Sequence, residues 1–284
     1  MLNRRELVMA STALPFATAA YAQANPFAVL ESQHGGHLGV AALDTGSGKR
    51  LAHRADERFA MCSTFKLLAV AAVLRRVDEG SEKLTRLMPY SKADLLPYAP
   101  ITRAHVGEGH MALGALCEAA IEWSDNTAAN LVLASLGGPS AVTQYARSIG
   151  DPVTRLDRIE PALNDVKPGD IRDTTTPAAM LADMQKVVLG DALSKASRAL
   201  IVDWLLKSQT GKQRLRAGFP KNWKVGDKTG SSGAGQTNDI VVAWPPGRAP
   251  IAIAAYFDGS HAYPESREAV LAEVGRIVAK VFAP

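Results

Sequence analysis

The sequence contains few cysteines and no recognisable set of metal ligands. Only two of its 284 residues are cysteines, and because Cys62 and Cys117 each fall within a predicted helix, we expect two small buried side chains. The histidines show no ligand-like spacing with cysteines or carboxylates, which indicates no metal site and no cofactor. They stand at positions 34, 37, 53, 105, 110 and 261.

The sequence also lacks a basic stripe. Lysines and arginines are scattered among acidic residues, so the formal net charge of +4 indicates a solvated surface rather than nucleic-acid binding. With 47% hydrophobic and 21% charged residues, the chain can bury a large core, in one domain or in two closely packed ones. No stripe suited to self-association is evident, and we therefore expect a monomer.

The first 22 residues are typical of an export signal. Arg4 and Arg5 form a basic start, and the apolar stretch that follows is too short, and too interrupted by proline, to span a bilayer. Small residues on both sides of Tyr21 suit a cleavage site, so the mature chain should begin near Gln23 or Asn25. The paired arginines favour twin-arginine export as much as the general secretory route. We predict a periplasmic or secreted protein without a membrane anchor.

The apolar periodicity predicts strands near both ends of the chain and helices between them. Residues 38–44 and 49–56 are predicted to form a hairpin around a Gly-rich turn, and three more strands are predicted at 223–230, 239–244 and 251–257. Neither strand set is large enough to be stable alone. We therefore expect both sets to join one antiparallel sheet, which would bring the two ends of the chain together.

The expected fold class is α/β, an antiparallel sheet flanked by helices with an inserted all-helical domain. Residues 23–60 and 207–284 would form the sheet domain, and residues 61–206 the helical domain. Between residues 151 and 175 no periodicity extends over more than a few positions. A loop of that length in a compact domain is usually functional.

Ser63 and Lys66 lie three residues apart at the beginning of a predicted helix, so their side chains should project from one face. A serine hydroxyl is a weak nucleophile unless a base takes its proton, and a desolvated lysine can act as that base. This spacing also occurs by chance in many chains. It gains weight only from the motifs that follow.

Three further motifs follow in order. Ser124-Asp125-Asn126 interrupts the periodicity between two helices, the sequence RIEPALN spans residues 158–164 in the long loop, and Lys228-Thr229-Gly230 lies on a predicted strand. Together with Ser-x-x-Lys, the Ser-Asp-Asn and Lys-Thr-Gly motifs are the signature of class A β-lactamases and penicillin-binding proteins. Essentially the whole sequence after the export signal resembles the class A serine β-lactamases.

The resemblance implies a serine acyl-enzyme mechanism. Ser63 would be the acylated nucleophile, and the backbone N–H groups of Ser63 and Ser231 would form an oxyanion hole, each donor lowering the barrier by about 3–4 kcal/mol. Lys66 would help to deprotonate Ser63, and Ser124 would pass a proton to the departing ring nitrogen. Whether Lys66 or Glu160, acting through a water molecule, is the base of acylation stays open.

The resemblance also implies which residues hold the substrate, a β-lactam of the penicillin or cephalosporin type. Lys228, Thr229 and Ser231 would bind its carboxylate. Gly230 has no side chain, which allows a ligand to approach the strand closely. Asn126 would hydrogen-bond the acylamide side chain of the substrate.

Residues 155–173 resemble the omega loop of the family. Glu160 would activate the water that hydrolyses the acyl-enzyme, with Asn164 as a second group holding that water. Arg158 and Asp173 match the ion pair that closes the neck of the loop.

Some positions depart from the family pattern. Many relatives carry an arginine on the strand after Lys-Thr-Gly, where this chain has Thr237. Arg214 matches the position from which another subgroup supplies the guanidinium, so we assign Arg214 to the substrate carboxylate. Tyr98 resembles the aromatic residue at the mouth of the family's cleft.

The cysteines are a second departure. In the family, the residue at the position of Cys117 usually forms a disulfide with the position that is Val70 in this chain. In some relatives, the residue at the position of Cys62 forms a disulfide with the position that is Ser232 here. We therefore expect two free thiols.

Two other kinds of protein share part of this pattern. A penicillin-binding carboxypeptidase or transpeptidase has the three motifs but lacks the RIEPALN loop, and a non-catalytic β-lactam sensor needs no Glu160 and normally has a membrane anchor. The loop and the export signal favour the hydrolase, which would confer antibiotic resistance. Selectivity among penicillins, cephalosporins and carbapenems depends on sub-ångström placement, since about 1.4 kcal/mol already changes a rate tenfold.

Overall fold

The computed structural model describes residues 25–258 and 263–283. The predicted export signal and His261 lie outside these residues. Within the described part of the chain, no helix is both long enough and apolar enough to cross a membrane.

Five strands from both ends of the chain form one antiparallel sheet, in the order β2-β1-β9-β8-β7. Two further pairs, β3 with β6 and β4 with β5, are short. The strands are β1 (His37–Asp44), β2 (Arg50–His53), β3 (Phe59–Ala60), β4 (Leu87–Pro89), β5 (His110–Ala112), β6 (Thr174–Thr175), β7 (Lys224–Ser231), β8 (Thr237–Trp244) and β9 (Ile251–Asp258). The expectation of a single sheet built from both ends is confirmed.

Helices cover both faces of this sheet and fill the sequence between its two halves. They are α1 (Pro26–His34), α2 (Lys66–Asp78), α3 (Pro100–His105), α4 (Leu113–Glu122), α5 (Asn126–Leu136), α6 (Ser140–Ser148), α7 (Pro177–Met184), α8 (Lys195–Leu206) and α9 (Pro264–Val281). Strands β1, β8 and β9 are buried along nearly their whole length. Such continuous burial is expected of strands covered on both faces.

Alternate residues of β1 enter two separate hydrophobic clusters. Val40 packs with Phe27 of α1 and Val270 of α9, whereas Ala41 belongs to the larger cluster formed with the central helices. Helix α2 is buried on all sides from Lys66 to Leu74, so it forms the core of the helical part. The Ser-x-x-Lys motif at its start is therefore held by a rigid element.

Outside the long loop at residues 151–173 and the shorter connections, the stretch 61–206 is helical apart from short strands. Strands β4 and β5 contain three residues each, and β6 contains two. Strands this short cannot show a two-residue alternation in the sequence, which explains why the prediction described this stretch as all helical. The domain boundaries themselves stay a prediction.

The two cysteines are buried and free. Burial raises the pKa of both thiols, Cys62 and Cys117. The predicted absence of a disulfide is confirmed.

Candidate active site

Ser63 lies in a 3-10 turn, Cys62–Phe65, that leads directly into α2. The predicted helix thus begins as a tighter turn, and Lys66 is the first residue of the regular α-helix. Cys62 has a positive φ of 46°, a conformation that is strained for a residue with a side chain. This backbone turn presents Ser63 to the cleft.

Lys66 is fully buried and connects three of the predicted motifs. Its Nζ donates to the carbonyl oxygen of Ser124 at 2.8 Å and to Oδ1 of Asn126 at 2.6 Å. It also lies 3.3 Å from Oε1 of Glu160. Burial lowers the pKa of Lys66, although the charge of Glu160 acts in the opposite direction.

Glu160 contacts Ser63 directly. The hydroxyl of Ser63 donates to Oε1 of Glu160 at 3.1 Å, and Nδ2 of Asn164 donates to Oε2 at 2.6 Å. Both oxygens of the carboxylate are thus engaged by residues that the sequence had singled out.

Asn130, which the sequence analysis missed, holds the backbone of Glu160. Its Nδ2 donates to the carbonyl oxygen of Glu160, and its Oδ1 accepts from the amide of Glu160, both at 2.9 Å. Asn130 follows Asn126 by four residues on α5, and side chains at that spacing share a helix face. This spacing was the signal available in the sequence.

Lys228 reaches Ser124 from the sheet. Its Nζ donates to Oγ of Ser124 at 2.9 Å and to the carbonyl oxygen of Thr229 at 2.8 Å. Lys228 is fully buried. Burial, followed by repulsion from Lys66, holds the pKa of Lys228 well below its ordinary value. Ser124 has a positive φ of 56°, so its backbone is strained between the two lysines.

Arg158 and Asp173 form the predicted ion pair at the neck of the omega loop. Nε of Arg158 lies 2.5 Å from Oδ2 of Asp173, and the amide nitrogens of Asp157 and Arg158 donate to Oδ1. The carbonyl oxygen of Asp173 also accepts from the amide of Met61 at 2.9 Å. The neck is thereby attached to the segment that carries Ser63.

Arg214 lies beside the end of β7. Its Nη2 donates to Oγ of Ser231 at 2.7 Å, and its Nη1 donates to the carbonyl oxygens of Gly230 and Asn238 at 3.0 and 2.8 Å. Nε of Arg214 also pairs with Glu268 at 3.1 Å. Four groups therefore hold the guanidinium in place.

Thr237 is buried at the beginning of β8. It lies opposite Ser231 in the register of β8 with β7, and its hydroxyl accepts from Nε of Arg267 at 3.0 Å.

Thr210 is a site residue that the sequence analysis did not identify. Its hydroxyl shares a 2.6 Å hydrogen bond with the hydroxyl of Thr229.

Gly230 brings β7 against the backbone of Met61 and Ser63. A Cβ atom at this position would lie 2.6 Å from the carbonyl oxygen of Met61 and 3.2 Å from the amide nitrogen of Ser63. Only glycine allows so close an approach.

These groups surround one open cavity of about 320 Å³. Tyr98, with 48% of its surface exposed, lies at its edge. The lining residues are Ser63, Tyr98, Ser124, Asn126, Asn164, Thr210, Arg214, Thr229, Gly230 and Ser231. Over the described residues, no group of three or more His, Cys, Asp or Glu side chains could hold a metal ion.

Known proteins are similar to this chain over most of its length. The family described as the beta-lactamase enzyme family matches residues 22–282. Beta-lactamase L2 of Stenotrophomonas maltophilia is 51% identical over 265 residues, which cover 93% of this chain and 87% of that protein. Beta-lactamase CTX-M-8 of Citrobacter amalonaticus is 49% identical over 262 residues, 91% of this chain and 90% of that protein.

Solved structures agree with this similarity. The ancestral (GNCA) class A β-lactamase has a TM-score of 0.89 and 60% identity, covering 90% of this chain and 98% of its own. The motif residues meet in one cleft, and both the sequence and the fold match over about nine tenths of the chain. The chain belongs to the class A serine β-lactamases, hydrolases that open the β-lactam ring and confer antibiotic resistance.

Proposed function

We propose that this protein hydrolyses penicillin- and cephalosporin-type β-lactams through an acyl-enzyme on Ser63, which water activated by Glu160 then hydrolyses. The observation that carries the proposal is the position of Glu160. One oxygen of its carboxylate contacts Ser63 and Lys66, and the other contacts Asn164. A carboxylate at this position can take a proton from a water that attacks an ester on Ser63.

In the acylation step, Oγ of Ser63 attacks the lactam carbonyl carbon. Its proton moves to the pair formed by Glu160 and Lys66, whose Oε1 and Nζ lie 3.3 Å apart. As the C–N bond breaks, the ring nitrogen takes a proton from the hydroxyl of Ser124. Nζ of Lys66 and of Lys228, at 3.3 and 2.9 Å from Oγ of Ser124, can replace that proton.

The oxyanion that forms during attack would be held by the backbone N–H groups of Ser63 and Ser231. The close approach of Gly230 to the amide nitrogen of Ser63 supports this assignment, because it brings the end of β7 next to the nucleophile. In the deacylation step, water attacks the ester carbon, Glu160 takes the water's proton, and Ser63 leaves and regains a proton.

The substrate carboxylate would be bound by Lys228, Thr229, Ser231 and Arg214. The hydrogen bond of Arg214 to Ser231 supports its assignment, since it places a permanent positive charge beside that hydroxyl. Asn126 would bind the acylamide group, and Tyr98 would contact the substrate at the mouth of the cavity.

The test is the loss of β-lactam ring absorbance with the mature protein far below the substrate concentration. Turnover of many equivalents is the expected result. A burst of one equivalent that then stops would show a penicillin-binding acceptor, and no reaction at all would be the behaviour of a non-catalytic binding protein.

We also propose that the protein is exported as a monomer after cleavage of residues 1–22. The basic and apolar sequence of these residues supports export. Amino-terminal sequencing of the protein recovered from the periplasm should begin at Gln23 or Asn25, and a chain that retains Arg4 and Arg5 would contradict it.

A further inference from the structure

Asp183, near the end of α7, carries a buried carboxyl group outside the catalytic cavity. The residue has no exposed surface. Among the described residues, no N–H group or hydroxyl donates a hydrogen bond to either oxygen of its side chain. The carboxyl of Asp151 can share a hydrogen bond with it if one of the two acids carries a proton. An ionised carboxylate is strongly disfavoured in such a place, because water is excluded and nothing donates to it.

Asp151 is in the opposite situation, although it is also buried. Its Oδ1 accepts from the amide of Val153 at 2.6 Å and from the amide of Thr154 at 3.1 Å. Burial acts to raise the pKa of Asp151, but hydrogen bonds from Thr154 and Val153 outweigh it and lower the pKa. Burial and then the charge of Asp151 raise the pKa of Asp183 to about 9. At neutral pH one proton therefore lies between the two acids, on Asp183.

The nearby cations do not neutralise Asp183. Arg147 on α6 donates to the carbonyl oxygens of Asp151 and Thr154, at 2.6 and 2.8 Å. Lys186 donates to the carbonyl oxygen of Ile149. In the described part of the chain, neither donates a hydrogen bond to the carboxyl group of Asp183, and although the charges of both act to lower the pKa of Asp183, burial and Asp151 outweigh them. The remaining titratable groups that act on this pair are the phenols of Tyr145 on α6 and Tyr256 on β9.

The pair lies where the chain enters the omega loop. Thr154, held by Asp151, shares a 2.6 Å hydrogen bond between its hydroxyl and that of Thr175 on the departing arm. Two residues before Thr175, Asp173 forms the ion pair with Arg158. The contact between Asp183 and Asp151 therefore ties α7 to both arms of the neck.

We propose that Asp183 is a positioning residue for the omega loop, donating a hydrogen bond to Asp151 as a neutral carboxylic acid and releasing the neck when it ionises at alkaline pH. Its effect on hydrolysis rests on the proposed role of Glu160. Its effect on stability does not, so the two can fail separately.

The stability test compares the wild type with Asp183→Asn, whose amide can donate the same hydrogen bond but cannot titrate. The folded wild type holds a proton on Asp183 that the unfolded chain releases above about pH 4. Its stability should therefore fall with rising pH relative to the variant until the pH reaches the folded pKa of about 9. Between pH 5 and pH 8, the ratio of the two unfolding constants should rise about tenfold per pH unit.

The matched control is Asp203→Asn on α8. That side chain is 52% exposed and paired with Lys207. The ratio of the unfolding constants of the wild type and Asp203→Asn should therefore stay nearly constant between pH 5 and pH 8. Parallel stability curves for the wild type and Asp183→Asn would overturn the proposal. As a measurement that needs no stability change, the infrared band of protonated carboxyl groups at pH 7 should lose intensity in Asp183→Asn relative to the wild type. Other acids with raised pKa values, among them Glu122 and Asp239, contribute to the same band in both proteins, so an unchanged intensity, rather than a remaining band, would overturn the proposal.

The catalytic test uses the alkaline limb of kcat. Asp183→Asn should keep the wild-type kcat at pH 7 and lose less activity above pH 9, whereas Asp183→Leu, which cannot donate, should lower kcat at every pH at which it folds. If the stability ratio changes as expected but both variants keep the wild-type kcat profile, the shared proton exists and the positioning role is wrong. If the wild type hydrolyses no β-lactam, the proposed function fails while the stability result still stands.

Discussion

Nζ of Lys66 lies 3.3 Å from Oε1 of Glu160, and both side chains are completely buried. The two residues are 94 positions apart and come from different elements, α2 and the omega loop. Burial of either charge alone would be costly, so each group depends on the other to remain in the site. The same carboxylate oxygen accepts from Ser63. Ser63, Lys66 and the omega loop are thus connected through one carboxylate oxygen.

Replacing Glu160 by Ala should trap the acyl-enzyme. The variant keeps Ser63, Lys66 and Ser124 for acylation but lacks the carboxylate that activates water. General-base catalysis typically contributes about 10²–10⁴-fold, so deacylation should slow by that order. Mass spectrometry after mixing with a penicillin should show protein carrying one added substrate.

The matched control is Asp165→Ala, which removes an acid from the same loop. Its side chain is 62% exposed and lies beside Lys167, so turnover should stay near that of the wild type. Full turnover by Glu160→Ala would exclude this residue as the base of deacylation.

Removal of Arg158 should loosen the omega loop. Arg158→Ala leaves Asp173, which has no exposed surface, as an unpaired charge. Breaking a buried pair in this way typically costs about 3–5 kcal/mol. Chemical denaturation should report that loss, and the deacylation rate should fall because the loop that carries Glu160 is held less firmly.

Arg172→Ala is the control for this pair. Arg172 pairs with Asp170 in the same loop, but its side chain is 47% exposed, and exposed pairs contribute little. Equal losses of stability in Arg158→Ala and Arg172→Ala would contradict the special role of the neck.

A methyl group at Gly230 should separate β7 from Ser63. In Gly230→Ala the new Cβ would lie 2.6 Å from the carbonyl oxygen of Met61, so the backbone must move. We expect kcat/KM for acylation to fall by at least about tenfold, since an oxyanion donor contributes roughly 3–4 kcal/mol when it is well placed.

Gly233→Ala provides the comparison, because a Cβ at Gly233 meets nothing within 4 Å. Stopped-flow acylation rates for the two variants measure the difference. An unchanged rate in Gly230→Ala would show that the close approach has no catalytic purpose.

The charge on Lys228 should control the alkaline limb of kcat/KM. Because burial and Lys66 lower its pKa, Lys228 loses its proton, and with it the attraction for a substrate carboxylate, at a lower pH than an exposed lysine does. An arginine side chain stays charged over the whole pH range of the measurement. Lys228→Arg should therefore move the alkaline limb to higher pH, although its absolute rate falls because the hydrogen bond to Ser124 changes.

Lys224→Arg, at the exposed beginning of the same strand, should leave the limb where it is in the wild type. The measurement is kcat/KM from about pH 6 to pH 11, a range that covers the ordinary lysine pKa of about 10.4. An alkaline limb at the same pH in the wild type and in Lys228→Arg would assign it to another group.

The sequence by itself determined the order of the long elements and the candidates for the reacting groups. Local periodicity was enough for the hairpin of β1 and β2, for the long helices and for the last three strands. The motifs at Ser63, Ser124, Glu160 and Lys228 were recognisable because their spacing within each motif is short. The structure brings these four residues into a single hydrogen-bonded network.

Only the tertiary structure decided how distant segments meet. The contacts of Ser63 with Glu160 and of Lys228 with Ser124 span 97 and 104 residues, and no local pattern encodes such separations. The positive φ of Cys62 is equally invisible in the sequence, because it is imposed by packing rather than by residue type. The protonation of Asp183 depends on burial and on one neighbour, Asp151, and both are properties of the folded chain.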